Sequence, residues 1–307
     1  MKSLIKFILP SILLSACAGQ SLPPTMGARP LTSMSAPHFN RMSAPGNRLG
    51  HGLGAIVEGT QPMVDDSTQP NNFLGARQPL PAAVDLRPQF QPIYNQGGTN
   101  ACVGYSSVGG LGEFMARKRG WNMRFSPRYL WNLGRKVHGM VDQNVGIYLE
   151  DAIKIMDNLG MAPETSFPFA SVNPEEPTFN SVLNELPGNA LIEQAKKYRI
   201  SQGWERISSV HAMKQALAAG KPVVFAIMIF SNINSGSNGM IPLPGPMDEP
   251  LGGHAITAVG YDNTRRVFII RNSWGTEWGD KGYGYLPYDF FRSLVKAAPI
   301  YAGFTVK

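Results

Sequence analysis

Length, composition and charge are those of an ordinary globular protein. The chain has 307 residues, 43% of them hydrophobic and 16% charged, which excludes wholesale disorder and allows one large domain or two lobes with an N-terminal extension. The formal net charge is +7, but the basic residues are scattered. The densest run, Arg117-Lys118-Arg119, falls at the predicted end of a helix, where cations complement the helix dipole. We therefore predict no nucleic-acid partner.

The N-terminus is typical of an export signal. Lys2 and Lys6 lie before or beside an apolar stretch over residues 7–14, which is too short to span a bilayer of about 30 Å. It ends in Leu14-Ser15-Ala16-Cys17, which resembles the lipobox of bacterial lipoproteins. The resemblance implies lipidation of Cys17 and attachment to a bacterial membrane facing the periplasm or cell surface. Ala18 favours the outer membrane of a diderm cell. The alternative is a plain secretory signal that is cleaved nearby.

Two further regions follow residues 1–17. Residues 18–79 are rich in Pro, Gly, Ser and Asn without a sustained apolar period, and we interpret them as a linker or short pro-segment. A tether is the preferred interpretation, and an inhibitory role stays open. Residues 80–307 form the predicted folded domain.

Helices come first in this domain and strands later, which predicts an α+β fold with two segregated lobes. The helices are expected over residues 102–119, over 147–159, and from a cap at Ser208 or Ser209 to Gly220. The strands are expected over residues 222–230, 255–261 and 267–271. Gly109, Gly110 and Gly112 each lower helix propensity by up to about 1 kcal/mol, which is tolerable if another backbone packs closely there.

Cys102 is the one thiol left if Cys17 is lipidated, because the chain has only two cysteines. A flexible loop, residues 95–101, leads into the helix that Cys102 begins. A cysteine at a helix N-terminus beside an imidazolium can form a reactive thiolate. Taken alone, the segment favours a small buried hydrophobic residue, because a lone cysteine is more often that than a reactive group.

Two later segments supply candidate partners for this thiol. Leu251-Gly252-Gly253-His254 places a histidine at a strand start behind glycines, where a general base can be both fixed and reachable. The segment from Asn272 to Gly284 has two tryptophans and four glycines at fixed intervals. It matches the signature Asn-Ser-Trp-Gly-x-x-Trp-Gly-x-x-Gly-Tyr, and the domain is therefore identified as resembling the papain family of cysteine peptidases.

This resemblance implies a papain-like two-lobed fold, with a helical N-terminal lobe, an antiparallel β-barrel-like C-terminal lobe and an active-site cleft between them. It implies that Cys102 is the nucleophile, that His254 is the general base and that Asn272 orients the imidazole. The Gln96 side chain and the Cys102 backbone N–H would bind the oxyanion. Trp274 would cover the contact between His254 and Asn272 and would also contact the substrate.

The same resemblance implies a substrate site. Gly146 would offer backbone hydrogen bonds to an extended peptide. Ile147, Tyr148 and Ala226 would line a pocket for the residue before the cleaved bond; the alternative is that Ile147 and Tyr148 simply pack the lobe interface. Around the nucleophile the chain departs from the family, since Thr99 and Val103 replace a cysteine and an aromatic residue.

The functional prediction is a cysteine-type peptidase, an endopeptidase that acts on protein or peptide substrates as a monomer without cofactor or metal. Two alternatives stay open. The first is a papain-fold lipoprotein with weak or no catalysis that acts as a binding protein. The second is an acyl transferase, in which an amine rather than water resolves the thioester.

Overall fold

The structure, a computed structural model, describes residues 50–56, 63, 79–200, 203–292 and 300–307. Cys17 and the predicted signal peptide lie outside these residues. Within them, no helix is both long and apolar enough to cross a membrane.

Seven α-helices are found in the described part of the chain. In chain order they are α1 Cys102–Tyr105, α2 Glu113–Lys118, α3 Pro127–Val137, α4 Leu149–Asn158, α5 Phe179–Asn184, α6 Asn189–Ala195 and α7 Val210–Ala218. Ser209 is confirmed as the cap of α7, because its side chain accepts a hydrogen bond from the Ala212 N–H at 3.2 Å. The helix predicted from residue 147 begins at Leu149 instead, because residues 146–148 are extended and pair with another segment.

The predicted helix over residues 102–119 is one continuous helical segment with an irregular middle. Between α1 and α2, Ser106–Gly112 is a π-helix. The close neighbour here is a side chain rather than the expected backbone: a Cβ on Gly110 would lie 1.9 Å from Thr257 Oγ1. That hydroxyl donates to the Ser106 carbonyl at 3.1 Å. The glycines thus let the helix that carries Cys102 lie directly on the sheet.

The described residues form one sheet of seven strands. They are β1 Ala83–Asp85, β2 Trp204–Ile207, β3 Val223–Phe230, β4 Pro250–Asp262, β5 Val267–Arg271, β6 Tyr283–Pro287 and β7 Ile300–Val306. The order is β2-β7-β3-β4-β5-β6, all pairs are antiparallel, and β1 adds to β4. The mixed α+β prediction is confirmed. The barrel-like lobe is not, because the two ends of the sheet, β2 and β6, do not pair and the sheet stays open.

Candidate active site

Cys102 is the first residue of α1 and is completely buried. The loop before it is held from both sides. The Gln96 N–H donates to the Ser273 carbonyl at 2.8 Å, and the Thr99 hydroxyl donates to the Gln96 carbonyl at 2.7 Å. The loop therefore joins the start of the central helix to the chain just after β5. This arrangement puts the sulfur at the positive end of a helix, where a thiolate is stabilised.

His254 lies in β4 and Asn272 directly follows β5, so the two side chains meet across neighbouring strands. The His254 Nε2 and the Asn272 Oδ1 are 2.8 Å apart. The same oxygen accepts the Ser273 N–H at 2.8 Å, which identifies it as the acceptor. Nε2 therefore carries the proton, and Nδ1 is the basic nitrogen. Nδ1 is buried and has no hydrogen-bond partner among the described residues.

The indole of Trp274 covers this pair, as the resemblance implied. Its ring centroid lies 4.6 Å from that of His254, and only 2% of the residue is exposed. Water is thereby kept from competing for the hydrogen bond between His254 and Asn272.

Gln96 is also fully buried, and its amide orientation is set by hydrogen bonds. Its Oε1 accepts from the Ser273 hydroxyl at 2.6 Å. Its Nε2 donates to the Thr99 carbonyl at 2.8 Å and to the Gly52 carbonyl at 2.9 Å. One N–H of the predicted oxyanion donor therefore points at a carbonyl oxygen of the chain's own N-terminal region.

That carbonyl belongs to residues 50–56, here called the cleft segment, which cross the site. The Gly54 N–H donates to the Cys102 Sγ at 3.2 Å, and the Ala55 N–H donates to the Gly253 carbonyl at 3.0 Å. The sulfur also accepts the Ala255 N–H at 3.4 Å. The thiol is thus satisfied by backbone amides, and the cleft segment covers it.

On one side of Cys102 the cleft segment pairs with the chain before α4. Ala55 and Ile147 form a parallel bridge, in which the Ile147 N–H donates to the Gly54 carbonyl at 3.0 Å and the Ile56 N–H donates to the Ile147 carbonyl at 3.2 Å. On the other side, the His51 imidazole stacks on Trp274, with centroids 5.1 Å apart and planes 5° from parallel.

Two glycines are required for this path. A Cβ on Gly54 would lie 1.8 Å from the Asn100 carbonyl oxygen, and a Cβ on Gly52 would lie 2.1 Å from the Thr99 carbonyl oxygen. These neighbours are backbone atoms of the loop that leads into α1. They cannot move aside as a flexible side chain would. A larger residue at either position would push the segment out of the cleft.

Burial shifts both titrating groups towards their neutral forms. Desolvation raises the pKa of the Cys102 thiol to about 11, although the N–H groups of Ala255 and Gly54 oppose the shift. Desolvation lowers the pKa of His254 to about 4, although the hydrogen bond that its Nε2 donates to Asn272 opposes the shift. In this occluded form the thiol and the imidazole are therefore both uncharged at neutral pH.

The predicted substrate-site residues lie around the cleft segment, and their role towards a substrate stays a prediction. The backbone of Ile147, rather than that of Gly146, forms the hydrogen bonds with an extended chain, and a Cβ on Gly146 would lie 2.0 Å from the Gly54 carbonyl oxygen. The Ile147 side chain is fully buried against Gly134 of α3 and does not line an open pocket. Ala226 is 2% exposed within β3, and the Tyr148 ring lies beside His138, 5.5 Å away between centroids.

Three participants carry no role in the sequence analysis. Ser273 orients Gln96, Thr99 closes the loop before Cys102, and the cleft segment fills the site. Ser273 follows Asn272 directly, so its hydroxyl could have been predicted from the sequence to lie at the site. Gly52 and Gly54 contact residues that are distant in the sequence, so no local pattern could predict their role.

Comparisons with known proteins fit this geometry. The model of the family described as papain family cysteine protease matches residues 80–295. Cathepsin K of Gallus gallus is 32% identical over 212 residues, covering 66% of this chain and 58% of that protein. A peptidase C1-like protein of Acanthamoeba polyphaga mimivirus is 25% identical over 213 residues, covering 66% of each protein. The aligned stretch thus spans less than two thirds of the length of cathepsin K.

Among solved structures, xylellain, a cysteine protease from Xylella fastidiosa, is similar with a TM-score of 0.68 and 28% identity, covering 84% of this chain and 96% of that one. A cysteine protease of Carica candamarcensis has the same fold, with a TM-score of 0.55 and 23% identity, covering 74% of this chain and 99% of that one. The chain belongs to the papain family of cysteine proteases.

Proposed function

We propose that the chain is a cysteine-type endopeptidase that hydrolyses peptide bonds through Cys102, His254 and Asn272. The observation that carries the proposal is the 2.8 Å contact between His254 Nε2 and Asn272 Oδ1, because it leaves Nδ1 as the free basic nitrogen beside the start of the Cys102 helix. A structural histidine would not need a ring fixed in this tautomer with one nitrogen left without a partner.

The chemistry follows the tasks of these groups. His254 Nδ1 takes the proton of Cys102, and the thiolate attacks the carbonyl carbon of the substrate. The Gln96 side chain and the Cys102 backbone N–H stabilise the oxyanion, where loss of one donor costs about 2.7–4 kcal/mol. His254 then protonates the leaving amine as the C–N bond breaks and a thioester forms. Water, deprotonated by His254, hydrolyses the thioester and frees the thiol.

The proposal includes a latent form in which the cleft segment blocks the site. Two hydrogen bonds support it. The Gly52 carbonyl accepts from the Gln96 side-chain amide, and the Gly54 N–H donates to the Cys102 sulfur. The Gln96 amide contacts the peptide group after Gly52, whereas the sulfur contacts the next one, before Gly54. No single peptide bond is held against both groups, so the segment is a blocker and not a substrate.

The test of catalysis uses an epoxide-type thiol inhibitor on the full chain and on its His254→Ala variant, each also carrying Gly54→Val to open the cleft. Rapid stoichiometric labelling of Cys102 that depends on His254, together with hydrolysis of unstructured peptides, supports the peptidase. Slow labelling that is equal in both proteins would favour the binding protein. Joined products when peptide amines are added would favour the acyl transferase.

The membrane tether is the second part of the proposal and rests on the lipobox-like Leu14-Ser15-Ala16-Cys17. A diacylglyceryl group on Cys17 would bind a bilayer through its buried methylenes, at about 0.8 kcal/mol each. Detergent partitioning of the full chain and of Cys17→Ser, both made in a diderm bacterial host, tests it. Identical aqueous behaviour of the two proteins would contradict lipidation.

A further inference from the structure

A pocket of about 490 Å³ adjoins Trp274. It is lined mainly by His51, Ile93, Asn95, Trp274, Glu277 and Trp278. We call it the Trp274 pocket. Of the residues that the sequence predicts to bind substrate, Trp274 lines this pocket, whereas Ile147, Tyr148 and Ala226 are not among its lining residues.

The side of the substrate that reaches this pocket follows from the proposed function, on which the inference rests. His254 delivers a proton to the leaving amine, so the C-terminal half of the substrate must pass the imidazole. The imidazole lies against Trp274, with centroids 4.6 Å apart. The Trp274 pocket is therefore reached by the first side chains after the cleaved bond.

The lining has two features that favour a cation. The Trp274 and Trp278 rings are 5.4 Å apart and nearly perpendicular, so they form an aromatic corner. Among the described residues that line the pocket, Glu277 carries the one carboxylate and none is a lysine or an arginine. Aromatic faces attract a guanidinium or ammonium group, and a carboxylate at the rim adds an ion pair.

The cleft segment already places a nitrogen-containing ring in this pocket. The His51 imidazole lies flat on Trp274, 5.1 Å between centroids. A guanidinium is also planar and stacks on an indole in the same manner. The space that His51 vacates when the segment leaves has the shape and the charge of a site for arginine.

We propose that the Trp274 pocket selects substrates with a cationic side chain, arginine above all, at the first or second position after the cleaved bond. Glu277 is the specificity-determining residue. An exposed ion pair and a cation–π contact are each modest, so the expected preference for arginine over glutamate is about 5- to 10-fold in kcat/KM.

The test uses the full chain carrying Gly54→Val and a set of quenched fluorescent peptides that differ only at those two positions, with Arg, Gln or Glu. Glu277→Gln should reduce the Arg-to-Glu ratio to about 2-fold or less, and Glu277→Lys should invert it. The matched control is Glu205→Gln, an exposed carboxylate on β2 at the opposite edge of the sheet from β6. The control should keep both the rate and the ratio.

The ratio is measured within one protein, so partial unfolding of a variant does not change it. Equal cleavage of the three peptides, or an Arg preference that survives in Glu277→Gln, overturns the inference while leaving the peptidase intact. Failure of every peptide together with labelling of Cys102 that does not depend on His254 contradicts the proposed function itself.

Discussion

The Ser273 hydroxyl donates a 2.6 Å hydrogen bond to the Gln96 Oε1. Both residues are buried, and the Gln96 N–H also binds the Ser273 carbonyl. An amide with its oxygen fixed in this way must present its NH₂ group to the thiol side of the cleft. Ser273 is thus a positioning residue for the oxyanion donor.

We expect Ser273→Ala to lower kcat about 10-fold with little change in KM, because a misaligned donor weakens binding of the transition state and not of the substrate. The measurement is steady-state hydrolysis in the Gly54→Val background. Ser273→Thr keeps the hydroxyl and should recover most of kcat, which a merely structural role would not require. A rise in KM at constant kcat would contradict the role in positioning.

Gly54→Val should open the site. Its Cβ would overlap the Asn100 carbonyl oxygen, which lies 1.8 Å from the position of that atom. We expect the rate of Cys102 alkylation at pH 7.5 to rise at least 10-fold, because the thiol leaves an environment that raises its pKa to about 11. The matched control is Gly188→Val, since a Cβ on Gly188 meets no atom within 4 Å. Equal alkylation rates in the two variants would show that the cleft segment does not limit access.

Acid should favour the open form. The pKa of His254 is lowered to about 4 by burial in the occluded form, and the pKa of His51 is lowered by the same cause. Once the cleft is open and solvated, both return towards 6.5, so the open form binds more protons between pH 6.5 and 4. The occluded form is therefore fully favoured above pH 6.5 and loses stability as the pH falls towards 4.

Amide hydrogen exchange of Gly54 and Ala55 measures this opening once intrinsic exchange rates are corrected for pH. Protection should fall between pH 6.5 and 4.5 in the full chain. His254→Gln and His51→Gln should each flatten part of the dependence, and the double variant should remove it. Constant protection across this range would mean that neither imidazole is coupled to the cleft segment.

The chemical core of the site was predictable because its residues lie in short motifs with strong local constraints. The segment from Asn272 to Gly275 fixes two side chains and a turn at once, and β5 begins and ends where the pattern of β-branched and aromatic residues predicts. The sequence also predicted close packing at the glycines after Cys102, but against another backbone, whereas the neighbour of Gly110 is the Thr257 side chain.

Other features depend on contacts that a local pattern does not encode. Helix α3 carries Arg128 and Arg135, which interrupt its apolar period although both are buried. Each donates to main-chain carbonyls from distant segments, such as Pro168 for Arg128 and Leu183 for Arg135. The cleft segment is held mostly by backbone hydrogen bonds, and it fits because its glycines have no Cβ. Its side chains therefore gave no indication in the sequence that it contacts the thiol.

Gly110 gives the sharpest test of how the central helix meets the sheet. Replacing it with alanine gains about 1 kcal/mol of helix propensity, but the new Cβ would lie 1.9 Å from Thr257 Oγ1 and 2.8 Å from its Cβ. Thr257 lies in β4 and is bonded to Ser106, so it cannot rotate away without losing that bond. Overpacking of this kind costs about 1–3 kcal/mol, and at such a distance we expect the upper end to prevail.

We therefore predict that Gly110→Ala lowers the free energy of unfolding by about 2 kcal/mol in urea denaturation. Thr257→Ala removes the two side-chain atoms beyond Cβ, so the double variant should be more stable than the sum of the single changes by about 1 kcal/mol. Gly188→Ala, on the open surface before α6, should change the free energy of unfolding by less than about 0.5 kcal/mol. Additive effects of Gly110→Ala and Thr257→Ala would mean that the π-helix relaxes away from β4, and that the close contact does not hold the helix carrying Cys102 in place.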